Sequence, residues 1–93
     1  MSALTVSFPG SDLIEAGLRD LERGAQSLPA LLVEVGAPRL RRLGIAVPRA
    51  DSAAPEHRLY ALLAQADPDS AHSRYNALIR RLVSYERAAA CGS

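Results

Sequence analysis

Ninety-three residues, 48% apolar and 23% charged, suit one small globular domain. That length excludes a barrel enzyme or a dinucleotide fold with a second domain, and the single Cys91 excludes an internal disulfide. The formal charge of +1 is too small to argue for nucleic acid by itself, but it is uneven: residues 1–34 sum to −3 and residues 35–93 to +4, with eleven arginines and no lysine.

Leu4, Val6 and Phe8 alternate with Thr5 and Ser7, the period of a strand, and Pro9-Gly10 ends the run. One such segment is not stable alone, so residues 1–10 are expected as an extended arm and 11–91 as a single helical domain. A first helix is predicted from Ser11 to Gly24, with Ile14, Leu18, Leu21 and Ala25 on one face. A second starts at Ser27 with Pro29 in its first turn and buries Leu28, Leu31, Leu32 and Val35. Gly36-Ala37-Pro38 predicts a break, because a helix-interior proline forfeits a hydrogen bond, and Pro38 to Leu43 then forms a short extra helical turn.

Residues 44–54 read as a loop in which Ile45 and Val47 dock on the core. A further helix begins at Pro55 with Leu59, Leu62, Leu63 and Ala66 on its inner face, and Asp67-Pro68-Asp69 turns the chain. The last helix, Ser70 to Ala90, has the clearest pattern: Ala71, Tyr75, Leu78, Leu82, Tyr85 and Ala89 recur at alternating intervals of four and three. The expected fold is all-α, a small bundle of four main helices plus the short extra turn, packed on that long C-terminal helix as a spine.

Chemistry-bearing patterns are scarce. His57, His72 and Cys91 show no metal-ligand spacing, and there is no nucleophile elbow or phosphate loop. The expectation is therefore no catalytic residue, no metal and no cofactor. No apolar run is long enough to span a membrane. The chain opens without the basic and apolar regions of a secretory signal, and its unpaired thiol fits a reducing compartment, so a cytoplasmic bacterial protein is expected.

Two constellations remain. His72, Asn76, Arg80, Ser84 and Arg87 form a polar stripe along the last helix, flanked by Arg74, Arg81, Tyr75 and Tyr85. Arginines at i and i+7 on such a face, Arg80 with Arg87 and Arg74 with Arg81, can grip phosphates or carboxylates, so Tyr75, Asn76, Arg80, Tyr85 and Arg87 are predicted to bind a partner protein. Arg39, Arg41 and Arg42, after the Gly36–Pro38 break, have the outline of a helix-turn-helix, which makes them candidate nucleic-acid-binding residues. Leu4–Phe8 with the next two helices has the order of a ribbon-helix-helix, but its strand face offers no basic side chain. The expected function is a non-catalytic interaction module, adaptor or antitoxin-like, that controls a partner protein through helical surfaces. A homodimer is compatible with its apolar excess. The alternatives are a small DNA-binding regulator using Arg39–Arg42, and a small enzyme with a site at a dimer interface.

Overall fold

The computed structural model describes residues 10–48 and 54–92. They form four helices, α1 (Ser11–Glu22), α2 (Leu28–Arg42), α3 (Pro55–Ala66) and α4 (Ala71–Gly92), with no strand among the described residues. The arm expected over Leu4–Phe8 lies outside the described residues.

Local chemistry sets most of the boundaries. Ser27 caps α2, its hydroxyl accepting from the Ala30 amide at 3.2 Å, while Pro29 sits in the first turn where no internal bond is lost. Gly24 and Gly44 follow α1 and α2 at positive φ, 76° and 91°. In each case the glycine amide and the next amide reach back to helix carbonyls, Ala25 to Asp20 at 2.8 Å and Ile45 to Leu40 at 3.0 Å, closing a Schellman motif. Between α3 and α4 the Asp67 carboxylate accepts from the Asp69 amide at 3.2 Å, an Asx turn. The helix-favouring alanines 88–90 let α4 continue to Gly92.

The predicted break at Gly36–Pro38 does not occur. Pro38 lies inside α2, which is continuous over 15 residues, so the short extra turn is simply its last turn and a half. Proline removes one hydrogen bond, but Gly36 and Ala37 before it and Leu40 after it are all buried. Packing on both sides of Pro38 outweighs that local loss.

Helix α2 holds the centre of the core. It touches α1, α3 and α4, and buries Ala30, Leu31, Leu32, Val33, Gly36, Ala37 and Leu40. Around it close Ile14 and Leu21 from α1, Leu59 and Leu63 from α3, and Ala71 and Leu82 from α4. The long α4 packs on α2 and α3, but the spine of the core is α2, because four consecutive buried residues, 30–33, face neighbours on every side. Each fully buried Leu or Ile contributes about 1.5–3 kcal/mol of transfer free energy. Ile45 and Val47 pack against this cluster, as their apolar character in a polar loop predicts.

Two glycines set helix spacing. A Cβ on Gly17 would lie 2.5 Å from Val33 Cγ2 and closer still to the Pro29 carbonyl oxygen, so α1 and α2 meet backbone to backbone there. A Cβ on Gly36 would lie 2.8 Å from Leu82 Cδ1 and 2.9 Å from Glu86 Oε2. Gly36 faces Leu82 and Arg39 faces Glu86, so α2 and α4 run in the same direction along their contact.

Candidate functional site

Along the contact of α2 with α4 lies a groove of about 310 Å3. Val35, Ile79, Leu82 and Val83 give it apolar walls, and Arg39 and Arg42 stand on its α2 rim. Glu86 lies in its floor. It is 6% exposed, the one charged side chain buried among the described residues. Its Oε1 is 3.5 Å from Arg39 Nη1, and the Arg39 side chain is itself 64% exposed. Burial pushes the Glu86 carboxyl above the usual glutamate range, while the charge of Arg39 and its hydrogen bond pull the other way without cancelling the rise. A buried ion pair with one exposed partner is a poor source of stability, since desolvation offsets much of the attraction.

The partner-binding candidates on α4 separate into two sets. Asn76, Arg80 and Arg87 share the outer shoulder. Arg80 and Arg87 are exposed, three residues before and four after Val83, and so are its neighbours on the helix surface. Neither side chain makes a hydrogen bond or ion pair with another described residue. Asn76 is half-buried, with Nδ2 3.3 Å from His72 Nε2 one turn back. Tyr75 and Tyr85 point elsewhere. The Tyr75 ring packs against Tyr60 of α3, centroids 5.7 Å apart and planes at 56°. Tyr85 packs against the core and senses Glu15 of α1. Both phenols are raised above the ordinary tyrosine range, first by burial and then by a nearby carboxylate, Glu56 for Tyr75 and Glu15 for Tyr85. Tyr75 braces α4 against α3, and Tyr85 braces it against the core.

Of the three arginines of α2, Arg39 and Arg42 line the groove and Arg41 faces the loop after the helix. Arg39 turns to Glu86. Arg41 donates to the Val47 and Pro48 carbonyls at 3.3 and 3.5 Å, tying down the loop after α2. Arg42 Nε reaches the Pro38 carbonyl at 3.5 Å. Because α2 is unbroken, no turn separates a second helix carrying these arginines, and the helix-turn-helix outline is corrected.

A second apolar hollow, about 320 Å3, lies between α1, the start of α2 and α4, lined by Leu13, Leu28 and Leu78 with Arg74 and Arg81 at its edge. Arg81 is committed to Asp12 at 3.3 Å, and Gly10 abuts the Arg81 carbonyl, so the chain enters α1 at the margin of this hollow. Among the described residues no three His, Cys, Asp or Glu side chains converge as metal ligands; His57, His72 and Cys91 are all exposed. No described helix is long and apolar enough to cross a membrane.

Sequence reasoning missed Glu86. The available signal was its place in the row Ile79, Leu82, Glu86, an acid on the apolar stripe of α4. Comparison with family models, characterised proteins and solved structures gives no match to this chain.

Proposed function

We propose that the chain is a non-catalytic interaction module, adaptor or antitoxin-like in class, that holds a partner protein on the face shared by α2 and α4. The observation that carries this reading is an apolar groove with Arg39 and Arg42 on its α2 rim, and with exposed Arg80 and Arg87, whose side chains make no hydrogen bond or ion pair with a described residue, next to Val83 on the adjoining shoulder of α4. Half-buried Ile79 and Val83 supply apolar surface to be removed from water at about 25 cal/mol per Å2. The surrounding arginines orient the partner and raise the rate of encounter. Asn76, on the same shoulder, offers a polar contact at the edge. Tyr75 and Tyr85 enter the interface indirectly, by fixing the position of α4.

The test is purification of the full chain from its native cells, with mass spectrometry of what it retains. The wild-type chain is expected to hold one protein in fixed ratio. The variant Arg39→Ala, Arg42→Ala, Arg80→Ala, Arg87→Ala is expected to lose it while keeping its helical circular dichroism. Retention unchanged by those four substitutions refutes this surface. A partner retained through them but lost on Arg74→Ala with Leu78→Asp moves the site to the other hollow.

A further inference from the structure

The α2–α4 groove is arranged as three strips. The central strip is apolar, from Val35, Ile79 and Leu82. On the α2 side stand Arg39 and Arg42, both exposed and about one turn apart. On the α4 side Val83 is flanked by exposed Arg80 and Arg87, two turns apart. Val35 to Arg42 and Arg80 to Arg87 each cover about 10 Å, two helical turns. The exposed acids of the described residues lie away from this face: Asp12, Glu15 and Glu22 on α1, Glu56 on α3, Asp67 and Asp69 in the α3–α4 turn. The only carboxylate lining the groove, Glu86, is recessed and faces Arg39.

We infer that the partner lays an acidic amphipathic helix in this groove. Its apolar side chains at i, i+4 and i+7 rest on the central strip, and Asp or Glu side chains on both flanks meet Arg39 and Arg42 on one side and Arg80 and Arg87 on the other. An apolar strip of two turns matches the anchor spacing of a helix in a groove. Guanidinium groups on both sides of it match carboxylates with paired hydrogen bonds. The inference rests on the protein-binding reading above and gives that partner its chemistry. A nucleic-acid duplex fits less well, because its phosphates would lie over an apolar strip with the Glu86 carboxylate beneath. A second copy of this chain also fits less well: its acid-rich helix, α1, keeps Ile14 and Leu21 in its own core, and its partly buried Leu13 and Leu18, five residues apart, do not share one face.

The experiment uses the full chain and two labelled synthetic helices of about five turns, alike in their leucine row, one flanked by Glu and the other by Gln. Fluorescence anisotropy is expected to show the Glu helix binding at least about tenfold tighter at about 0.05 M salt, with the gap closing by about 0.5 M. That preference is expected to vanish in the four-arginine variant, and binding of both helices to vanish in Val83→Asp. Equal binding of the two helices overturns the inference. So does binding of neither while the native partner is still retained, and in that case the protein-binding reading stands. Arginine-dependent binding of duplex DNA, or arginine-dependent self-association in the ultracentrifuge, with no native partner retained, overturns both.

Discussion

At Gly17 α1 and α2 approach backbone to backbone, and replacing it with alanine tests the helix packing directly. The added methyl meets the Pro29 carbonyl and lies 2.5 Å from Val33 Cγ2. Neither obstacle can swing aside. The carbonyl belongs to the first turn of α2, and Val33 is fully buried, with a β-branched side chain held to one rotamer in a helix. The helices must separate, opening the contact around Ile14 and Leu21. Overpacking of this kind costs about 1–3 kcal/mol, with a backbone obstacle at the upper end. The better helix propensity of alanine returns at most about 1 kcal/mol. The net loss is about 2 kcal/mol, which lowers Tm by roughly 10 °C in a domain of this size. Thermal and urea unfolding followed by far-ultraviolet circular dichroism read it out. Gly36→Ala is the comparison, since its methyl meets only side-chain ends, Leu82 Cδ1 at 2.8 Å and Glu86 Oε2 at 2.9 Å, and is expected to lose less. A Gly17→Ala protein that melts at or above the parent, or below which Gly36→Ala falls further, refutes this account of the interface.

Glu86 has a folded-state pKa above its ordinary value, so its ionisation opposes folding: the native state is favoured at low pH and that advantage is lost as pH rises through the raised value. Glu86→Gln is therefore expected to match or exceed the parent Tm at neutral pH, the difference disappearing below the usual glutamate range. Asp20 behaves oppositely. The Ser27 hydroxyl, 2.5 Å from its Oδ2, and then Arg23 hold its carboxyl below the usual aspartate range. The stability it contributes is present above that range and lost as pH falls through the depressed value. Ser27→Ala, which removes both this partner and the cap of α2, is expected to cost about 1 kcal/mol at neutral pH and to flatten the acid limb of a Tm–pH profile. Leu32→Ala, in the middle of the core at 1% exposure, is expected to cost about 2–5 kcal/mol. Arg80→Ala with Arg87→Ala should change stability by no more than about 0.5 kcal/mol, because neither side chain engages a described residue.

Three of the four helices were legible because their apolar residues keep one face over several turns and their ends carry recognisable signals, such as Gly24 after α1 and Pro55 opening α3. The continuity of α2 was not. Pro38 is a strong local signal for a break, while the burial of Gly36, Ala37 and Leu40 depends on three other helices that no local window contains. The site divides along the same line. Arg80 and Arg87 were legible as a polar shoulder, because helical spacing alone places them together. Tyr75 and Tyr85 looked like part of that surface because they adjoin it in the chain, yet a step of one residue turns a side chain by about 100°, and both face neighbouring helices. The pairing of Arg39 with Glu86 depends on how closely α2 approaches α4, which Gly36 permits and no spacing along either helix reveals.

The aromatic pair has a spectroscopic consequence. The chain has three tyrosines and no tryptophan, and two of the three, Tyr60 and Tyr75, form a single ring contact across α3 and α4. The near-ultraviolet dichroism of this protein is thus dominated by a coupled pair of phenols, and it reports on whether that hairpin is closed. A titration followed at those wavelengths would register α3 leaving α4 at once, with Tyr85, packed on the core, as the separate third probe.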